Sequence, residues 1–327
     1  MNTSQVKKLI SIVVPVLNEI GNLERVCARV EAVMMPLSSG YDFEILFMDN
    51  HSDDGTFDEI SRLSMKKPYI RAIRFSKNIG YQLSILNGLK AAEGDAIVQL
   101  DADLEDPPEL IPVFISEWEK EIKVVYGIRL TRVENRFRTA SRKAFYRFLN
   151  KVSTDQIPLD AGDFRLIDRS VVDQLRNLND QRPYLRGLIS SLGFSQLGVP
   201  YRREERLWGK SKFPYQKMKD LAIDGIVNHS DLPLRLATKI GIVVSASSFF
   251  LGFFYLIGKL VFKQEWADGF ATTTILILVS LGLISLLLGI IGEYLFRIFS
   301  IVRGYPFVIV EREIKKSQER RQEDQRE

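Results

Sequence analysis

Four carboxylates crowd the end of one apolar run: Asp101, Asp103, Glu105 and Asp106 follow Ala96-Ile-Val-Gln-Leu100, and Pro107-Pro108 closes the segment. Asp101 and Asp103 stand two apart just past a strand end, so their side chains can point the same way. Hard oxygen donors on a short loop suit Mg2+ or Mn2+. Such ions take one or two protein carboxylates and complete their shell with water and substrate phosphate oxygens. Glu105 is placed to be a third ligand, directly or through water. Asp106, ahead of two prolines, reads as a helix cap with proline in the first turn, and capping is the competing reading for Asp101 and Asp103 too. No glycine-rich phosphate cradle accompanies them: G-x-G-x-x-G does not follow the first apolar run, and G-x-x-x-x-G-K-[ST] occurs nowhere. A bound phosphate must then be held by a cation.

Such a loop needs elements to hold it. Apolar, β-branched runs occur at Ile10–Val16, Phe43–Met48, Ile70–Phe75, Ala96–Leu100 and Val124–Tyr126, with helical patterns between them at Asn22–Met35, Thr56–Met65, Gln82–Ala92 and Pro108–Glu121. Alternating strand and helix predicts an α/β domain with a mostly parallel sheet, whose ligands sit at the carboxyl ends of the strands. Polar residues end each of the first four runs: Asn18-Glu19, Asp49-Asn50, Ser76-Lys77-Asn78 and Asp101-Ala-Asp103.

Bulk properties narrow the classes. The chain has 327 residues and a formal net charge of +4. It shows no arginine-rich arm and no zinc-finger spacing, so nucleic acid is not the expected partner. Cys27 is the only cysteine; it rules out an internal disulfide and, lying among Leu23, Val26 and Val30 at helical spacing, reads as core. The N-terminal apolar run is short and broken by Pro15, Asn18 and Glu19, and reads as a first strand and not a signal peptide.

The C-terminal third changes character. Ile240–Phe262 is almost all apolar, with Lys259 near the far end, and Ala271–Ile291 holds no charge. Each is long enough for the roughly 20 residues of a spanning helix. A polar hinge at 263–269 separates them, so the expectation is a transmembrane hairpin, with two buried core helices as the alternative. Nine Lys or Arg residues lie between Arg202 and Lys239, and Arg297 and Arg303 follow the second span. The positive-inside rule then puts both chain ends, and the catalytic domain, on the cytoplasmic side of the plasma (inner) membrane. Small residues in the spans (Ser245, Ala246, Gly252, Gly282, Gly289) permit close helix approach and suggest a homo-oligomer, with a tetramer favoured. Glu293 and Arg297, four apart, are read as a structural pair. The expected layout is a catalytic domain over 1–211, an interfacial amphipathic segment over 212–233, the spans within 234–298 (about 236–262 and 270–296), and a charged tail over 299–327, frayed after Glu311.

The segments "SIVVPVLNE", "DNHSDDGT", "RFSKNIGYQ", "GDAIVQLDADLEDPPE" and "DAGDFRLIDR", in this order, resemble family 2 glycosyltransferases of the GT-A fold. The resemblance covers roughly 8–215 and is strongest to the polyprenyl-phosphate branch, with its dolichyl-phosphate mannose synthases and bactoprenol glucosyltransferases. It implies transfer of one hexose, glucose from UDP-glucose being the leading choice, to a polyprenyl phosphate at the membrane. Pro15, Leu17 and Glu19 match the segment flanking base and ribose, and Asp49 the acid that accepts from a pyrimidine N–H. Lys77 would meet the diphosphate or base, and Asn78 to Gln82 would shape the pocket floor, with Gly80 allowing close approach. His51 and His229 read as loop residues.

The resemblance also implies that a divalent ion at Asp101 and Asp103 stabilises the leaving diphosphate. Asp155 is the candidate for a base or positioning role, with Asp160 and Asp163 open as alternatives; the competing reading has Asp160 and Asp163 fix the Gly162 turn and pair with Arg165, and for Asp163 this structural reading is preferred. Arg129, Arg206 and Lys212 are candidates for the acceptor phosphate, with Lys210 beside them in a segment similar to the R-x-x-G-x-S-K of the mannose synthases. Residues 135–152 suit either a headgroup-level helix or one packed on the core. A processive synthase would need a Q-x-x-R-W segment, which is absent. The remaining alternative is an inactive membrane scaffold or lipid-carrier partner.

Overall fold

Residues 8–16 combine β-branched side chains with near-complete burial, the pattern of a strand covered on both faces. This strand, β1 (Lys8–Val16), is central in a computed structural model that describes residues 7–130, 161–176, 183–204, 240–244, 246, 247, 250, 253, 257, 269–302 and 308–315. It pairs in parallel with β2 (Tyr41–Asp49) on one side and β4 (Ala96–Gln99) on the other. The sheet continues through β3 (Ile70–Phe75) to β8 (Val310–Ile314), and from β4 through β6 (Ala161–Asp168) and β5 (Val124–Arg129) to β7 (Gln196–Tyr201). The order is β7-β5-β6-β4-β1-β2-β3-β8. Successive strands diverge to opposite sides of β1, and the crevice at such a switch point is where open α/β sheets bind ligands.

Helices cover both faces. The side chains of Ile10, Ile12 and Val14 meet α1 (Leu23–Met34), α2 (Thr56–Lys66) and α4 (Ile111–Trp118) in one core. Val13, Leu46 and Met48, of opposite parity, meet α3 (Tyr81–Ala91), α5 (Arg169–Leu175) and α6 (Leu185–Ser191) in the other. Phe114 and Phe164 lie 4.8 Å apart between ring centroids in the first core; truncating such a buried ring to alanine costs about 3–5 kcal/mol. In the second, a Cβ on Gly88 would come within 2.4 Å of Val13 Cγ1, so glycine is what lets α3 lie against β1 and β2. Cys27 is buried as expected, and burial pushes its thiol up to about 12.

Three strands depart from the sequence reading. β6 runs antiparallel to β4 and β5, although its residues read as turn-rich. β7 is a partly exposed strand parallel to β5. β8 comes from the tail expected to be frayed after Glu311, and pairs antiparallel with β3. The sheet therefore takes a strand from beyond the 1–211 boundary.

The last helix, α7, runs over Phe270–Val302. Many of its side chains lie outside the described residues, and among the described ones no helix is long and apolar enough to cross a membrane. The first expected span falls largely outside them too, as do the segments 135–152 and 212–233, His229 and the side chains of Glu293 and Arg297.

Candidate active site

The carboxyl ends of β1, β2 and β4 open into loops that each carry a non-glycine residue in the left-handed region: Asn18 at φ 54°, His51 at φ 63° and Leu104 at φ 55°. Such residues persist where surrounding contacts over-determine them, and they gather at functional sites. After β1, Asn18 N–H donates to Ser52 Oγ at 2.9 Å, and Glu19 N–H to Thr56 Oγ1 at 3.0 Å. The first two loops are thereby stitched together. Pro15 is buried, and Leu17 and Glu19 line this seam half-buried.

Asp49, at the end of β2, is fully buried. Its Oδ1 accepts from the Ser52 amide at 3.0 Å and the Ser52 hydroxyl at 2.5 Å, and its Oδ2 from Arg74 Nη1 at 2.7 Å. Arg74 escaped the sequence reading, although an arginine in a strand as buried as β3 demands an acid. Arg74 also lines a pocket with Ser52, Asp53, Phe57, Asp58 and Arg312; that pocket lies on the β2–β3 side and does not reach Asp101. His51 is an exposed loop residue with Nδ1 3.1 Å from the Phe75 carbonyl.

Past β3, Lys77 and Asn78 are exposed, and Gly80 at φ 89° turns the chain into α3. Glycine alone takes that backbone conformation without strain. Gln82 is turned away from the loops: its Oε1 accepts from the Leu185 amide at 3.2 Å. Its neighbour Tyr81 donates its hydroxyl to Asp101 Oδ1 at 2.6 Å. Burial first, then the charges of Asp106 and Asp103, push the Asp101 carboxyl up to about 7.

The carboxylate loop is held by cations from the far half of the sheet. Glu105 pairs with Arg203 at 2.5 Å. Asp106 is almost fully buried, pairs with Arg129 at 2.9 Å and accepts from Tyr201 OH. Asp106 is therefore a buried ion-pair partner and not a helix cap; Pro107 occupies the cap position, with no side-chain cap. Arg129, expected at the acceptor phosphate, has its guanidinium committed to Asp106 and Tyr201. Asp103 is buried, and its Oδ1 accepts from the Glu105 amide at 3.1 Å.

These pairings bear on the metal. With Glu105 turned to Arg203, the expected three-carboxylate set is not formed, and no group of three His, Cys, Asp or Glu among the described residues is arranged to hold an ion. Asp101 and Asp103 remain. A pair of carboxylates close enough to raise the pKa of one of them fits a hard divalent cation that takes its other ligands from phosphate and water.

Asp163 faces the same loop from β6. Its charge is among those that raise the Asp101 carboxyl, so the two lie near one another. Arg186 grips Asp163 through Nε at 2.8 Å and Nη2 at 2.7 Å, while Arg165, the expected partner, stands at 3.9 Å. Burial raises the Asp163 pKa, but Arg186, together with the charges of Arg165 and Arg129, outweighs it and holds the group at about 2. Asp155, Asp160, Arg206, Lys210 and Lys212 lie outside the described residues.

The glycosyl transferase family 2 model matches residues 11–176. An uncharacterized glycosyltransferase of Bacillus subtilis is 40% identical over 303 residues, covering 92% of this chain and 93% of that protein. A prophage-derived bactoprenol glucosyl transferase of Shigella flexneri is 34% identical over 304 residues, covering 93% and 97%. Among solved structures, mannosyl-3-phosphoglycerate synthase from Rubrobacter xylanophilus aligns at TM-score 0.47 and 14% identity over 68% of this chain and 73% of its own.

Proposed function

The chain belongs to glycosyl transferase family 2 and is a glycosyltransferase; on that footing we propose that it moves a single hexose, glucose from UDP-glucose, onto a polyprenyl phosphate. The observation that carries the donor half is the Asp101/Asp103 pair at the switch-point rim, with a buried Asp49 at the end of β2 on the other side of β1. The acceptor half rests on the relatives named bactoprenol glucosyl transferase, matched over nearly their whole length.

In this proposal the base sits between the β1 and β2 loops, with Asp49 accepting from a pyrimidine N–H. The diphosphate lies toward Asp101 and Asp103, which would hold Mg2+ or Mn2+. The ion would neutralise charge on the departing β-phosphate as a Lewis acid. Tyr81 orients the Asp101 carboxylate, and the Asp103–Glu105 turn fixes the second ligand. The attacking oxygen belongs to a lipid phosphate that is already ionised, so it needs no strong base. It attacks the anomeric carbon as the bond to the diphosphate oxygen breaks, inverting that centre and releasing UDP. Asp163, locked by Arg186 and ionised far below neutrality, suits a structural role better than proton transfer. Asp155 remains the candidate base, and Arg206 and Lys212 the candidates for the acceptor phosphate.

We further propose that α7 is one of two spans holding the catalytic domain at the cytoplasmic face, in a homo-oligomer. At about 1.5 Å per residue it is longer than the roughly 30 Å hydrocarbon layer. Among its described apolar side chains, Ile277, Leu281, Ile284, Leu288 and Leu295 are more than half exposed. Apolar surface on that scale needs a partner or a bilayer.

The test is direct: purified full-length protein, UDP-glucose and a polyprenyl phosphate in detergent, with Mn2+ or excess chelator, read by mass spectrometry of the lipid. Metal-dependent gain of one hexose is expected. An inactive scaffold would give neither lipid product nor metal-dependent hydrolysis of any sugar nucleotide.

A further inference from the structure

We infer that Glu311, in the C-terminal strand β8, is a positioning residue for the nucleotide base, acting through Arg74 on Asp49. The inference rests on the proposed base role of Asp49. A carboxylate offers about four acceptor sites, and three donors fill three of them in Asp49: the Ser52 amide, the Ser52 hydroxyl and Arg74 Nη1. The fourth is the one the proposed base contact would use, and its aim depends on where Arg74 stands.

Arg74 is itself held at two further points. Its Nη2 donates to the Ser52 carbonyl at 3.0 Å, closing a ring through the Asp49 loop. Its Nε donates to Glu311 Oε2 at 3.1 Å. That same Glu311 oxygen lies 3.3 Å from His51 Nδ1, so one carboxylate from the chain's end touches both residues that flank the β2 loop. The β3–β8 ladder shifts register between Arg74 and Phe75, the kind of irregularity that re-aims a side chain. The next residue, Arg312, lines the pocket that Ser52 and Arg74 line. Strand β8 thus brings a specific contact to the base side of the rim as well as an edge to the sheet. Two paired groups that clamp a third restrict its orientation more than either alone.

A ring nitrogen that carries hydrogen distinguishes uracil from cytosine, so discrimination between UDP and CDP reads the aim of Asp49. Binding of each to the full-length protein with Mn2+ would be measured by calorimetry for wild type, Glu311→Gln, Glu313→Gln and Asp49→Asn, with thermal melts to establish folding. Glu313 is the control: it sits on the same strand and approaches Arg71 at 3.9 Å, away from Asp49. Glu311→Gln should weaken UDP about tenfold and leave CDP within twofold, collapsing the preference, while Glu313→Gln leaves both within twofold. The proposal is overturned by unchanged UDP binding in Glu311→Gln. It is equally overturned by parallel loss of UDP and CDP, or by the same loss in Glu313→Gln, since either would mean that only docking of β8 matters. Unchanged UDP binding in Asp49→Asn would instead remove the base role of Asp49, and the inference with it. Loss in Asp49→Asn with retention in Glu311→Gln would remove the inference alone.

Discussion

The Tyr81 hydroxyl lies 2.6 Å from Asp101 Oδ1, donated from the first residue of α3 across to the end of β4. A hydrogen bond to a charged group contributes about 1.5–3 kcal/mol, and this one favours the ionised form of a carboxyl that burial and three neighbouring acids oppose. Tyr81→Phe should therefore raise the Mn2+ concentration needed for half-maximal transfer by about tenfold or more, with folding intact. A metal titration of transfer rate checks it; an unchanged midpoint would show that Tyr81 merely fills space.

Asp103 separates charge from turn geometry. Its Oδ1 accepts from the Glu105 amide, and an asparagine keeps that acceptor while losing the negative charge. Asp103→Asn should lower transfer by at least about a hundredfold, the scale expected when electrostatic stabilisation of a leaving group is lost, and shift the melting temperature by only a few degrees. Near-native turnover in the variant would remove Asp103 from the metal site.

How legible this site was depends on whether a residue's partner is local. Asp101, Asp103 and Asp49 were legible as candidates because each follows an apolar run within three positions, and a strand end fixes direction. Their supporting partners were not. Arg186 meets Asp163 across 23 residues, Arg129 meets Asp106 across 23, and Arg74 meets Glu311 across 237. Nothing in the spacing of a charged residue says which of many opposite charges it finds. The misread elements follow the same logic. β6 carries Asp163, Arg165 and Asp168 within eight residues and so reads as a polar turn, yet each charge has a buried-site partner. β8 is Val-Glu-Arg-Glu-Ile, four of its five residues exposed, and an edge strand guarded by charge looks like a solvated tail.

Asp163 gives a pH signature. Its folded pKa, about 2, is below the ordinary value of 3.8. A depressed carboxyl binds fewer protons folded than unfolded, so its stabilisation is complete above the unfolded value and is lost as pH falls through the folded one. The difference corresponds to about 2 kcal/mol. Urea unfolding of wild type and Asp163→Asn should show the widest gap above pH 4 and a shrinking gap between pH 4 and 2. A gap independent of pH would mean that the Arg186 contact does not depend on ionisation.

Gly88 tests how tightly α3 must lie on the sheet. A Cβ there meets Val13 Cγ1 at 2.4 Å and Met48 Cγ at 2.9 Å, both buried. Neither neighbour has room to retreat, so Gly88→Ala should cost about 1–3 kcal/mol as overpacking. It should also displace the helix that carries Tyr81, so the Mn2+ midpoint should move in the same direction as in Tyr81→Phe. Lost stability with an unmoved metal midpoint would show that α3 shifts without disturbing Asp101.

The proposed membrane role of α7 separates from the chemistry by one substitution. A sugar nucleotide is soluble and charged, whereas a polyprenyl phosphate is held at the headgroup plane by a tail worth about 0.8 kcal/mol per buried CH2. The spans are then needed to meet the acceptor, while the rim residues perform the transfer. Leu281 lies midway along the uncharged run Ala271–Ile291, with its side chain more than half exposed. An arginine at the centre of a spanning helix costs about 2.5–3.5 kcal/mol of insertion. Leu281→Arg should therefore lower the fraction of protein retained in carbonate-washed membranes and depress transfer to long-chain lipid phosphate in vesicles. Transfer to a short, water-soluble prenyl phosphate in detergent should stay within about twofold of wild type, because α7 contributes none of the residues at the rim. Undiminished membrane retention, together with water accessibility of a label placed at 281, would mean that α7 packs against protein and that the enzyme reaches its acceptor by another route.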